Sequence, residues 1–147
     1  MIALLDVNVL VALAWPNHVC NVSVRGWFRK QREIGWATCP TTENGFIRVS
    51  SNVRVIPEAK SPREAALFLR DLVAHEGHVF WPEEASIIDE RWISLEKIHT
   101  YRQITDAHLL SLALRHEGCL ATFDRGILSL VPEGKKKEYA VQVIASM

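Results

Sequence analysis

The stretch Ile2-Ala3-Leu4-Leu5-Asp6-Val7-Asn8-Val9-Leu10-Val11-Ala12-Leu13-Ala14 decides the fold. Ile2 to Leu5 is apolar without alternation, the pattern of a strand buried on both faces of a parallel sheet. Asp6 then falls at the carboxyl end of that strand. The apolar run from Val9 to Ala14, with Asn8 before it and Pro16-Asn17 after it, predicts a short helix capped by Asn8. A charge set in so apolar a stretch is costly unless something partners it.

The same handover from strand to helix recurs along the chain. Val19 to Gln31 places Val19, Val22, Val24, Trp27 and Phe28 among Arg25, Arg29, Lys30 and Arg32, an amphipathic helix ending near Gly35. Trp36-Ala37-Thr38-Cys39 is a short strand closed by Pro40. Thr41 or Thr42 then caps a helix with Glu43 in its first turn. Ser61-Pro62-Arg63-Glu64 starts another helix, with a capping serine, proline at the first helical position and an acid at the third. His78-Val79-Phe80-Trp81 forms a third strand bounded by Pro82. Residues 83–101 carry only enough apolar residues for one or two short helices.

Ile104-Thr105-Asp106 opens a helix with Thr105 as cap, and Gly118 ends it. Cys119 to Phe123 is a fourth strand reaching Asp124, and Ala140 to Ile144 a fifth. This alternation predicts an α/β fold: a central, mostly parallel five-stranded sheet with helices on both faces, in one domain spanning residues 1–147.

Bulk properties narrow the function classes. With 48% hydrophobic and 23% charged residues the chain has the composition of an ordinary globular protein. Its first segment lacks a basic leader and a cleavage site, and no apolar run is long enough to span a bilayer, so the expected location is the cytoplasm, with no membrane partner. The 3 cysteines, Cys20, Cys39 and Cys119, show no CxxC spacing and read as reduced, buried thiols. Lys plus Arg and Asp plus Glu balance at 17 each, so only local clusters can mark a nucleic-acid path.

In open sheets of this kind, functional groups gather outside the carboxyl ends of the strands. Asp6 and Asp124 end strands, while Glu43 and Asp106 open helices at or beside the same edge. Any one of these acids alone reads as a cap or a partner of a helix dipole. Together they form a candidate acidic site whose mutual repulsion calls for a cation. Oxygen-only ligands suit Mg2+ or Mn2+ rather than zinc, and such ions promote displacement at phosphorus.

Leu4-Leu5-Asp6-Val7-Asn8-Val9-Leu10, Thr42-Glu43, Thr105-Asp106-Ala107 and Thr122-Phe123-Asp124 occur in an order that resembles PIN-domain ribonucleases. The opening segment, with Arg48-Val49 after the glutamate, is most similar to VapC toxins of bacterial type II toxin–antitoxin pairs. The resemblance covers almost the whole chain. It implies a PIN-like three-layer fold and a Mg2+- or Mn2+-dependent endoribonuclease that cuts structured RNA such as transfer RNA. It also implies silencing by a cognate antitoxin protein and assembly as a homodimer. By position, Asp6 and Asp106 would be the main metal ligands, with Glu43 and Asp124 completing the site directly or through water. Asn8 and Thr122 match supporting polar positions. Arg125 is the expected phosphate contact on its place beside Asp124 alone, not by the resemblance.

Other features carry less. Arg25-to-Arg32 and Lys135-Lys136-Lys137 suit phosphates, although each alone reads as a solvated face. His75 and His78 form an HxxH spacing across a helix end, better suited to surface or capping roles than to a metal. His18 and His108 lie near acidic motifs and read as structural or exposed. Two rival functions remain: a phosphatase or phosphotransferase with Asp6 as nucleophile, and a non-catalytic divalent-ion-binding signalling module. The first wants a second aspartate where Asn8 stands. The second wants a phosphoacceptor where Trp81-Pro82 stands.

Overall fold

A computed structural model describes residues 1–146. Its sheet has five strands, β1 (Ala3–Leu5), β2 (Trp36–Thr38), β3 (His78–Phe80), β4 (Cys119–Thr122) and β5 (Val141–Val143), in the order β3-β2-β1-β4-β5. Every pairing is parallel, with Ala3 opposite both Trp36 and Cys119. Six helices connect them: α1 (Val7–Ala14), α2 (Asn21–Ile34), α3 (Pro40–Ser50), α4 (Pro62–Val73), α5 (Ile104–Arg115) and α6 (Lys137–Ala140).

Side chains alternate across the strands into two cores. Ala3, Leu5, Trp36, Cys119 and Ala121 face a layer built from α1 to α4 around Leu10, Val24, Phe28, Phe46 and Leu69. Leu4, Ala37 and Leu120 face the other layer, where α5 supplies Leu109, Leu110, Leu112, Ala113 and Leu114, joined by Trp81, Ile93 and Ile127. Strands that are buried on both faces are why the sequence shows unbroken apolar runs instead of period-two alternation. The three-layer architecture expected from the sequence is therefore the one observed.

Several boundaries differ from expectation for local reasons. Asp6, not Asn8, caps α1: its Oδ1 accepts from the Val7 amide at 2.7 Å, so the helix starts as soon as the strand ends. Cys39 is the N-cap of α3, and the Thr42 hydroxyl reaches back to the Cys39 amide at 3.0 Å. Gln103 precedes α5, which places Thr105 inside the helix instead of at its cap. At the far end Glu117 takes the left-handed conformation (φ 56°) that was expected of Gly118. Gly118 has a different constraint, since a Cβ there would meet the Ile2 carbonyl at 2.5 Å. Ser61 caps α4 with Glu64 closing the reciprocal pair, as its sequence predicts. Between β3 and α5 only two 3-10 turns form, at Leu95–Lys97 and Tyr101–Gln103.

Strand order fixes where a cleft can open. The chain runs outward from β1 through β2 to β3, then returns to the other side of β1 to form β4 and β5. This reversal leaves the loops after β1 and β4 diverging to opposite faces, a crevice at the carboxyl edge where α/β sheets bind ligands. Asp6 and Asp124 follow those two strands.

Candidate active site

Asp6 is 8% exposed, and both its oxygens are held. Oδ1 caps α1, and Oδ2 accepts from the Thr122 hydroxyl at 2.8 Å. Thr122 is itself fully buried at the end of β4, and its oxygen accepts from the Asp124 amide at 3.1 Å. One hydroxyl thus joins the ends of the two switch-point strands. Asp124 caps the 3-10 segment Arg125–Leu130 through a 2.7 Å bond from the Gly126 amide to its Oδ1.

Asp106 stands in the first turn of α5. Because that helix leads into β4 and so runs against the strands, its start lies at the acidic edge. Burial, and then the charges of Asp6 and Asp124, push the Asp106 carboxyl up to about 6. Burial also raises Asp6, against the hydrogen bonds from Thr122 and Val7, and Asp124 adds to that rise. Asp6, Asp106 and Asp124 therefore share one field although they are far apart in sequence.

Glu43 is half-buried and is oriented from β2 and β3. The Thr38 hydroxyl donates to its Oε1 at 2.7 Å, leaving the Thr38 oxygen to accept from His78 Nε2 at 2.8 Å. Burial holds His78 below the usual histidine range, which favours the neutral ring. His78 thus supports an acid through Thr38, a role its spacing from His75 did not suggest. His75 caps α4 through Nδ1 to the Asp71 and Leu72 carbonyls, as expected.

Among the described residues, ion pairs join Arg91 to Asp89 and Arg115 to Glu84, while His108 and His116 stand against Glu83 and Glu84. None reaches Asp6, Glu43, Asp106 or Asp124. Nor do any three His, Cys, Asp or Glu side chains among them already form a cage for a metal ion. Acids at a sheet edge that no described ion pair balances still suit Mg2+, which keeps several waters and takes only one or two carboxylates plus substrate phosphate. Asn8 is exposed on the first turn of α1, and Arg125 is exposed beside Asp124. Lys135, Lys136 and Lys137 precede β5, so they stand at the opposite, amino-terminal edge of the parallel sheet. The cysteines are free and buried, and burial pushes the thiols of Cys39 and Cys119 up to about 11.

The PIN domain family model matches residues 3–132. This chain belongs to the PIN-domain family. Within it the VapC kind is the relevant one. The chain is 46% identical to ribonuclease VapC38 of Mycobacterium tuberculosis over 91% of its own length and 93% of that protein's. It is 43% identical to ribonuclease VapC44 of the same organism over 95% and 99%, and 40% identical to ribonuclease VapC39 over 91% and 96%. No helix of this PIN domain is long and apolar enough to cross a membrane among the described residues.

Glu83 is the acid that sequence reasoning passed over. It lies beyond Trp81-Pro82 after the end of β3, so the rule that singled out acids directly at strand ends did not reach it. Its oxygens engage Thr41 and His108.

Proposed function

We propose that the protein is a Mg2+- or Mn2+-dependent endoribonuclease that hydrolyses RNA phosphodiester bonds and acts as the toxin of a toxin–antitoxin pair in the cytoplasm. The observation that carries this reading is the Thr122 hydroxyl that ties Asp6 to the Asp124 amide at the switch point, beside an Asp106 carboxyl raised by both charges, with no ion pair to any of the three among the described residues. Relatives named as ribonucleases support the same chemistry.

In this reading Asp6 and Asp106 hold the cation, while Asp124 and Glu43 complete the site directly or through water. A bound divalent ion supplies Lewis acidity toward the scissile phosphate and the attacking water. Thr122 keeps the Asp6 carboxylate aimed, and the Thr38 hydroxyl does the same for Glu43. Asn8, exposed at the mouth, orients water or carboxylate, and Arg125 contacts a phosphate beside Asp124. Without the ion, the acids repel the RNA backbone, so the cleft distinguishes loaded from empty protein. Structured RNA such as transfer RNA fits an enzyme that reads shape through surrounding loops.

The partner of this toxin is a cognate antitoxin, and the working form is a homodimer. A groove of about 470 Å³ between α1, α2 and α4 has an apolar floor of Leu13, Phe28, Phe68 and Leu72 and a rim of Arg25, Arg29 and Arg32. It suits an amphipathic antitoxin segment bearing acids, with a basic side chain reaching on into the acidic cleft.

The test is cleavage of a panel of RNAs with Mn2+, with EDTA, and by Asp6→Asn. Cleavage that needs the ion and is lost in the variant supports the reading, whereas undiminished cutting in EDTA or by the variant refutes it.

A further inference from the structure

Glu83 uses its two oxygens on two different layers. Oε1 accepts from the Thr41 amide at 2.8 Å and from the Thr41 hydroxyl at 2.6 Å, and Oε2 pairs with His108 Nε2. Thr41 is in the first turn of α3, whose cap residue Cys39 offers only a thiol, a weak acceptor. The free amides of a helix start need partners, and a carboxylate there also suits the helix dipole. Glu83 supplies that partner from a separate segment of chain.

The two elements it joins carry two of the acids. Thr41 lies two residues before Glu43 on α3, and His108 two residues after Asp106 on α5. These helices pack on opposite faces of the sheet. We propose that Glu83 is a positioning residue for the acidic site, bridging the first turn of α3 to α5 across the sheet edge and so fixing the span between Glu43 and Asp106. This rests on the nuclease reading, which gives the fixed span its purpose. Glu83 itself touches neither ion nor RNA. Its length is what the bridge needs, since an aspartate, one methylene shorter, cannot keep both ends. Glutamine keeps the acceptor for Thr41 and offers an amide to a neutral His108.

The test compares wild type, Glu83→Gln, Glu83→Ala and Thr41→Val for Mn2+ affinity, cleavage rate of bulk transfer RNA at saturating Mn2+, and melting temperature. Loss of a partner that orients a metal ligand typically weakens metal binding or activity by about tenfold or more. Glu83→Ala is expected to weaken Mn2+ binding by about tenfold, with the cleavage rate falling in step. Glu83→Gln is expected to recover most of both, and Thr41→Val to show a smaller loss in the same direction. If Glu83→Ala does not fold, the glutamine and valine variants carry the comparison. Wild-type Mn2+ affinity in Glu83→Ala, or in Thr41→Val should the alanine variant not fold, overturns the proposal alone, as does a Glu83→Gln as impaired as the alanine variant. A wild-type protein that binds no Mn2+ and cuts no RNA overturns the nuclease reading and this proposal together.

Discussion

Replacing Asp106 with asparagine should stabilise the ion-free protein at neutral pH and make it the less stable of the two once Mn2+ is added. The Asp106 carboxyl moves from an ordinary value of 3.8 to about 6 on folding, because of burial and the neighbouring Asp6 and Asp124 charges. Between those two values the folded chain keeps a proton that the unfolded chain has released. Stability therefore falls as pH rises through that window and stays lower above it. At full weight the displacement corresponds to about 3 kcal/mol. Because the group is only half-buried, solvent screening reduces this to about 1 to 2 kcal/mol. Asparagine removes the charge, so Asp106→Asn should gain that amount at pH 7.5 and nothing below about pH 4, roughly 3 to 6 °C in Tm at this chain length. Mn2+ at 100 times its Kd adds about 2.7 kcal/mol to a protein that binds it, which reverses the order. Thermal unfolding of both proteins in EDTA and in Mn2+, at pH 3.5 and 7.5, reads all four quantities. An Asp106→Asn protein less stable than wild type in EDTA at pH 7.5, or a gain that does not change with pH, refutes the electrostatic reasoning.

Other changes probe the scaffold around the acids. Thr122→Val removes the donor to Asp6 Oδ2 in a fully buried position, so unfolding in denaturant should show a loss of about 1 to 3 kcal/mol. Cleavage should also fall, because Asp6 is no longer aimed. Gly45→Ala would bring a Cβ within 2.5 Å of Val7 Cγ2, next to Asp6. The forced shift between α1 and α3 should cost about 1 to 3 kcal/mol, offset by up to about 1 from helix propensity, and a cleavage assay should show a loss although Gly45 contacts no substrate. Ser61→Ala breaks the reciprocal cap of α4, whose bonds involve none of the four acids. It should cost about 1 kcal/mol by the same unfolding measurement and leave cleavage at the wild-type rate.

The layer order was legible because the three central strands, β1, β2 and β4, are buried on both sides. Runs such as Ile2 to Leu5 and Cys119 to Phe123 carry no competing signal, and each ends in an acid. Capping residues were read less well. Asn8, Thr105 and the Thr41 or Thr42 pair have the right chemistry for caps, but the backbone leaves its preceding strand or turn two or three residues earlier. Asp6 accordingly is the cap of α1 as well as a candidate site residue, while Thr42 closes the first turn of α3 from within. Residues 83–101 resisted reading because turns and 3-10 segments have no apolar period.

The placing of Asp6 and Asp124 at strand ends, and of Asp106 at a helix start on the same edge, was legible in the sequence, but the polar supports around them were not. The bond from Thr122 to Asp6 spans 116 residues, and the one from Thr41 to Glu83 spans 42. Such contacts are set by which strands lie side by side, and spacing along the chain does not reveal that. Lys135 to Lys137 illustrate the converse: a dense basic run near the end of the sequence lies on the wrong edge of the sheet to meet a phosphate at the acids.

The central claim is that the acids at the β1/β4 switch point grip a divalent cation. Anomalous scattering from a crystal of the protein grown with Mn2+ tests it most directly. The account predicts a peak in the cleft, coordinated by carboxylate oxygens of Asp6 and Asp106 at about 2.0 to 2.3 Å, with Asp124 in its inner or water-bridged sphere. A fully occupied peak elsewhere on the molecule, with the cleft empty, would contradict it.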